Sequence, residues 1–251
     1  MNPISPRILL VRGMLAGLFA GVAAFLVAYL LGESKVDAAI AIEEAASAGH
    51  DHGEEMAPVS RALQATGGLA TGTLLYGVAL GGIAALVFCY ALGRIGRFGP
   101  RATAVLVSAG LFVTVNLVPF LKYPANPPAV GDPDTVVKRT TLFILMIALS
   151  VLLGSGALIL GRRLAPSLGN WNASVVAGLA FVAAVGIAYA TLPAVNEVPA
   201  DFPATLIWQF RLSTLAIQTV LWTSFGLAFG YLAERSLAPL PAPKEAVQPT
   251  S

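Results

Sequence analysis

The sequence predicts an all-α protein: a polytopic integral membrane bundle of about six transmembrane helices. Three observations support this. Of the 251 residues, 57% are hydrophobic. Only 11% are charged, against roughly 25% in soluble proteins. Six runs carry no charged residue, and each can cross a hydrocarbon core of about 30 Å as a helix of about 20 residues. The runs are Gly13–Gly32, Ala62–Gly93, Ala102–Leu121, Thr140–Gly161, Leu164–Asn196 and Leu212–Ala233.

Within these runs we predict spans near residues 8–31, 67–92, 102–121, 140–160, 173–192 and 212–232. The first span is read as a retained helix, because its apolar stretch exceeds the 7–15 residues usual in a cleaved signal peptide. Residues 1–237 are therefore expected to form one transmembrane domain. Residues 238–251 carry four prolines and are expected to be a flexible tail.

Charge distribution predicts the orientation of the bundle. Nine of the 15 lysines and arginines lie on the side of the termini, many in the short connections 93–101 and 161–171, whereas 11 of the 13 acidic residues lie on the other side. Cytoplasmic loops retain positive charge. We therefore expect a multi-pass protein of the cell membrane with both termini cytoplasmic, and outer connections at residues 32–66, 122–139 and 193–211.

Glycines at four-residue spacing predict where helices meet. Small residues on one face let backbones approach closely, which is a packing signal in membranes. We expect the first two helices to form a tight pair on this basis. The spaced glycines are Gly13, Gly17 and Gly21, then Gly68 with Gly72, Gly77 with Gly81, and Gly226 with Gly230.

An arginine opens each returning helix: Arg61, Arg139 and Arg211. Their similar spacing indicates a faint internal repeat, which would make the bundle three helix hairpins. A cation at a helix N-terminus opposes the macrodipole, so each arginine is expected to take a carboxylate partner. Anchoring at lipid headgroups is the alternative.

The first outer connection holds the one chemically distinctive cluster: His50, Asp51, His52, Glu54 and Glu55. Imidazoles and carboxylates are ligands for borderline divalent metals. Both histidines of the chain lie here, so we predict a metal-capture site. The alternative is a solvated acidic loop, because two histidines do not complete a metal shell. Ligand types alone do not identify the ion, since affinities follow the Irving–Williams order.

The charge-free runs offer only neutral polar side chains, which argues against a self-sufficient proton-driven pump. Candidates for a pathway, or for structural polar contacts between helices, are Asn116, Asn126, Arg139, Arg211 and Gln218, the charged members lying at the outer helix starts. Pro119 and Pro193 are further candidates, because proline frees a helix carbonyl toward a passing cation.

Motifs for catalysis are missing from the sequence. There is no G-x-x-x-x-G-K-[ST], no H-E-x-x-H and no G-x-S-x-G. We therefore expect no enzyme, no permanently bound cofactor and no nucleic-acid partner.

Several segments together resemble the CbtA family of predicted cobalt transporter subunits of bacteria and archaea. They are the glycine-patterned first helix, His50-Asp51-His52 followed by Pro58 and Arg61, Phe120-Leu-Lys-Tyr-Pro-Ala-Asn-Pro-Pro-Ala, and Phe210-Arg211-Leu-Ser-Thr-Leu near Trp222. The resemblance runs from about Arg7 to Leu232. It implies cobalt uptake, in connection with cobalamin synthesis, with the ion as substrate. It also implies a small partner, CbtB, with one membrane helix and a histidine-bearing end.

On this chain the resemblance assigns metal contact to His50 and His52, with Asp51 and the nearby glutamates as helpers. Two hypotheses follow. The first is a membrane subunit of a divalent cation uptake system. The second is a non-transporting scaffold or metal sensor. Polar residues facing one another along a path would favour transport, and a dry glycine-packed bundle would favour the scaffold or sensor.

Overall fold

The computed structural model describes residues 6–47, 59–131 and 133–237 of the chain. Within these ranges every regular element is a helix, which confirms the predicted all-α class. The predicted metal-capture residues His50, Asp51, His52, Glu54 and Glu55 lie outside the described residues, and so does the tail 238–251.

In the described part of the chain, five continuous helices are long and apolar enough to cross a membrane. The first three are α1 (Pro6–Ala46), α2 (Arg61–Ala91) and α3 (Pro100–Lys122). The fourth, Val136–Thr191, has 56 residues and would measure roughly 84 Å as one straight helix. That is far longer than a bilayer requires. The fifth is Ala204–Leu237.

Gly169 divides the fourth helix into two, because its backbone (φ 74°, ψ 160°) is not helical. We call the parts α4 (residues 136–168) and α5 (residues 170–191), and Ala204–Leu237 becomes α6. A Cβ at Gly161 would lie 3.2 Å from the Cβ of Ala177, and both positions are equally far from Gly169. The two parts are therefore antiparallel, and six helical segments result, in agreement with the predicted count. The connection expected at residues 161–171 is helical except at this turn.

The end of the first predicted span needs correction. Helix α1 widens to a π-helix over Ala28–Gly32 and then continues as α-helix over Glu33–Ser47. Residues 33–47 therefore belong to a helix, although they were expected in a loop. The segment is rich in alanine and contains no glycine or proline, so helix propensity sustains it beyond the apolar run. Arg61 at the start of α2 pairs with Glu33 and Asp37 on this extension.

Glycines of α1 and α2 form the predicted close contact, which we call the glycine seam: Gly13, Gly17, Gly21, Gly77 and Gly81. A Cβ at Gly21 would lie 2.8 Å from the carbonyl oxygen of Thr73, and one at Gly17 would collide with the carbonyl of Gly77. The seam confirms the predicted helix pair. The other spaced pair of α2, Gly68 with Gly72, is different, because a Cβ at Gly72 would meet nothing within 4 Å. Gly72 therefore takes no part in packing.

Two hydrophobic clusters divide the bundle. The larger joins α1, α2, α3 and α6, where the rings of Phe88 and Phe229 meet edge to face at 5.0 Å. The smaller joins the last turns of α3 to α4 and α5 around Met146 and Val185. The C-terminal ends of α1, α3 and α5 lie at one end of the bundle, which we call the long-loop end. There Ala39 of α1 packs with Val130, Phe202 and Ile207.

Candidate functional site

A cavity of about 440 Å³ lies between α2, α3, α4 and α6 near the long-loop end. We call it the chamber. Its polar lining combines hydroxyl, amide and guanidinium groups from all four helices and from the connection after α3. These residues are Tyr76, Asn116, Tyr123, Asn126, Arg139, Thr140, Thr214 and Gln218. Four of the five residues predicted for a pathway or a structural polar role therefore line one cavity, although α3 and α6 lie far apart in sequence.

Helix α3 is locally irregular where it borders the chamber. It widens to a π-helix over Phe112–Leu117, followed by Pro119, which has no N–H to give to the helix ladder. Two side chains of α4 and α5 donate hydrogen bonds to carbonyls of α3: the Ser150 hydroxyl donates to Thr114 O, and the Tyr189 hydroxyl donates to Val118 O. These two hydrogen bonds attach α3 to the α4–α5 hairpin, and Asn116 of the π-helix lies on the chamber wall.

The two amide side chains deep in the chamber differ in their partners. Asn116 Oδ1 accepts a 2.6 Å hydrogen bond from the indole N–H of Trp222, which joins α3 to α6. Gln218 Oε1 is buried and has no hydrogen-bond partner among the described residues. A buried acceptor without a donor costs roughly 1–3 kcal/mol. Gln218 Oε1 is therefore the acceptor in the chamber that would gain most from a hydrogen bond to a ligand or water.

Arg139 lies at the mouth of the chamber and forms an ion pair with a carboxylate. Its guanidinium donates to Glu197 Oε2 at 2.5 Å, and the Thr135 hydroxyl donates to the other oxygen of Glu197. The Glu197 side chain is only 6% exposed. A Cβ at Gly131 would lie 2.9 Å from Arg139 Nη1, so glycine there leaves room for the guanidinium. The predicted carboxylate partner is thus present for Arg139, as it is for Arg61.

Arg211 behaves differently from the other two arginines. Its guanidinium donates to Asn126 Oδ1 at 3.0 Å and to Ala125 O at 3.3 Å, both neutral oxygens. Among the described residues, two neutral oxygens of the connection after α3 therefore take the place of the carboxylate that was expected to pair with Arg211. These bonds fix Asn126 between α6 and the chamber. Arg211 itself lines a small neighbouring cavity of about 30 Å³ together with Arg139 and Glu197.

The end of α5 is tied to the end of α3. Lys122 Nζ donates to Tyr189 O at 2.8 Å, and the Tyr123 hydroxyl donates to Pro193 O at 2.9 Å. Burial raises the pKa of the Tyr123 hydroxyl above its ordinary value of 10.0, so this group remains a donor at neutral pH. Pro193 has no N–H to donate to the carbonyl of Tyr189, and Lys122 Nζ occupies that carbonyl, so it is not left free for a passing metal ion.

A second, wider cavity of about 760 Å³ adjoins the chamber at the long-loop end. We call it the vestibule. Glu43 on the extension of α1 and Asp201 before α6 supply carboxylates to its lining. Val130 and Arg139 line both the vestibule and the chamber. The two cavities are therefore neighbours. The lining of the vestibule includes carboxylates, and the lining of the chamber includes amides.

The site contains two residues that the sequence did not bring forward, Glu197 and Thr135, and it gives Lys122 and Tyr123 of the segment at residues 120–129 a structural role. Glu197 ends the longest charge-free run, and that isolation was a usable signal. Among the described residues, no group of three or more histidines, cysteines and carboxylates could hold a metal.

These features define the class of the molecule: a multi-pass helical membrane protein with polar cavities between its helices at one end. A comparison with protein families matches residues 7–234 to CbtA, described as a probable cobalt transporter subunit. The chain therefore belongs to the CbtA family, as the sequence resemblance predicts. Comparisons with curated proteins and with solved structures give no match.

Proposed function

We propose that the chain is the membrane subunit of an uptake system for a divalent metal cation, cobalt being the ion that family membership favours. The observation that carries this proposal is the succession of two cavities that share Val130 and Arg139. Glu43 and Asp201 would concentrate cations in the vestibule. From there the path leads to the neutral amides Asn116 and Gln218 in the chamber.

In this proposal the long-loop end faces outward and both termini are cytoplasmic. His50 and His52 capture the ion, with Asp51, Glu54 and Glu55 as helpers. Two facts support a role next to the vestibule. The cluster follows closely after Ser47 in the chain, and Glu43 and Ala46 near the end of α1 line the vestibule.

A further subunit belongs to the proposal, because the family is described as a transporter subunit. We propose a small CbtB-like protein with one membrane helix, whose histidines complete the metal shell that two histidines leave open. The metal is cargo, and no permanently bound cofactor or catalytic step is required.

The second candidate is a scaffold or metal sensor that does not transport. The glycine seam favours it, because closely packed backbones leave no passage between α1 and α2. Transport is favoured by the chamber, where Asn116 of α3 and Gln218 of α6 line the same cavity. We propose transport, and the buried Gln218 Oε1 supports it, since an acceptor without a partner among the described residues calls for a ligand or water.

Elemental mass spectrometry of cells tests this function directly. Cobalt, nickel and zinc are measured in cells that express the chain alone or together with a one-helix, histidine-bearing membrane protein encoded beside it. We expect cobalt content to rise several-fold with expression and to return towards background in the double variant His50→Ala with His52→Ala. The matched control, Lys244→Ala with Gln248→Ala in the tail, should accumulate as much metal as the wild type.

Unchanged metal content in cells that hold abundant, membrane-inserted protein would overturn transport and leave the scaffold or sensor. A rise in cobalt that is unaffected by the histidine variant would retain transport and remove the capture role of the cluster.

A further inference from the structure

The chamber differs chemically from a site that strips water from a metal ion. The described residues that line it include no histidine, cysteine, aspartate or glutamate. Those are the side chains that replace water around borderline divalent ions. Neutral amides and hydroxyls alone compensate poorly for the loss of inner-shell water from a small divalent cation, which dehydrates reluctantly.

The chamber is large enough for an ion that keeps its water. Six waters occupy about 180 Å³ at liquid density, and the cavity measures about 440 Å³. The volume of the chamber is therefore more than twice that of six waters.

The oxygen atoms of the deep end are acceptors, which is what a hydrated cation needs. Gln218 Oε1 is buried without a donor. Thr214 gives its own hydroxyl proton to Phe210 O at 3.0 Å, so its oxygen retains lone pairs. Asn116 Oδ1 receives one bond, from Trp222, and a carbonyl oxygen accepts two. Water bound to a divalent cation is a charge-assisted donor, and its bonds to these oxygens are stronger than those of ordinary water.

The charges around the chamber suit passage better than retention. Arg139 at the mouth is paired with Glu197, and Gln218 lies two helical turns, roughly 10 Å, further along α6 than Arg211. Among the described residues that line the chamber, a cation at the deep end thus meets no carboxylate that would hold it. Conduction requires this balance, in which binding is favourable but weak.

We propose that the deep end of the chamber is a binding site for a divalent cation with its inner water shell intact, recognised through hydrogen bonds from that water to Gln218, Asn116 and Thr214. This inference rests on the proposed transport function. It assigns selection between metals to the histidine cluster, and to the chamber only selection by charge and size of the hydrated ion.

Hexaamminecobalt(III) is a suitable probe, because its six ammonia ligands do not exchange and it can bind only through its outer shell. Its binding to the purified full-length protein in detergent is measured by titration calorimetry, and its inhibition of cobalt uptake is measured in cells. We expect the wild type to bind the probe, and Gln218→Leu to bind it about tenfold more weakly, as for loss of one charge-assisted hydrogen bond. Gln218→Glu should bind it more tightly and release cobalt more slowly.

Gln209→Leu is the matched control, since Gln209 is exposed on the same helix and does not line the chamber. It should bind the probe as the wild type does. Equal affinity in Gln218→Leu and wild type, with both proteins shown to be folded by a cooperative thermal transition, would overturn the inference, and so would absence of binding to the wild type. Probe binding that depends on Gln218 in a protein that moves no cobalt would retain the site and overturn the transport function.

Discussion

Along the glycine seam, α1 and α2 approach so closely that a Cβ at Gly21 would lie 2.8 Å from a backbone oxygen of the partner helix. Around the chamber, α2, α3, α4 and α6 stand far enough apart to enclose about 440 Å³. Since lipid is as apolar as leucine, the seam gains its stability from van der Waals contact between backbones. The chamber is instead bordered by polar contacts, those of Arg139 with Glu197 and of Arg211 with Asn126. Close backbone packing and the polar cavity thus occur at different helix contacts, and only α2 takes part in both.

The largest expected effect breaks the seam. Gly17→Leu places a side chain against the carbonyl of Gly77, where even a Cβ does not fit. We expect the free energy of unfolding to fall by about 3 kcal/mol or more, as for severe overpacking. The measurement is the yield of monodisperse protein in detergent. Gly72→Leu is the control on the same helix pair, because a Cβ there meets nothing within 4 Å. Equal yields from the two variants would show that the seam does not hold the helices together.

A smaller effect is expected at the rim of the chamber. Glu197→Gln leaves Arg139 without its carboxylate, and we expect a loss of about 2 kcal/mol in stability, since Glu197 is almost fully buried. Glu234→Gln is the control, because the Arg101–Glu234 pair is exposed on both sides and should contribute less than about 1 kcal/mol. Thermal unfolding in detergent measures both. If the Arg139→Met variant loses nothing more when Glu197→Gln is added, the two residues act as a pair.

The smallest effect has the opposite sign. Gln218→Leu removes a buried acceptor that lacks a donor, so we expect the thermal midpoint to rise by the equivalent of about 1 kcal/mol while cobalt uptake falls. A lower midpoint would mean that Gln218 supports the packing of α6. The exposed position Gln209 again provides the control, with no change in either quantity.

Much of the fold follows from the sequence, because a charge-free run long enough to cross a bilayer has few alternatives to a helix. The contact of Gly13, Gly17 and Gly21 with Gly77 and Gly81 was equally predictable from spacing, but spacing alone did not show that Gly72 lies outside it. The extension of α1 over Glu33–Ser47 was not expected, since charge was read as the end of the helix although the alanines sustain it. Gly169 looked like part of a longer connection, and only the backbone shows that one residue makes the turn.

The site was predictable in part. Asn116 and Gln218 were identifiable as rare polar residues in apolar runs, but their arrival at one cavity depends on the packing of α3 against α6. The pairing of Arg139 with Glu197 depends on how the connection after α5 folds over α4, and a sequence with several outer carboxylates does not specify the partner. The roles of these residues in transport, and the metal-capture role of the histidine cluster, stay predictions.

The turn at Gly169 has a consequence for mapping which side of the membrane each end faces. With α4 and α5 joined through a single non-helical residue, an epitope or reporter inserted there would separate two helices in direct contact. The connection between Ala91 and Pro100, by contrast, is irregular and holds two glycines with positive φ, Gly93 and Gly96. It lies at the same end of the bundle and is the place where an added sequence can be read out without disturbing the structure that it reports on.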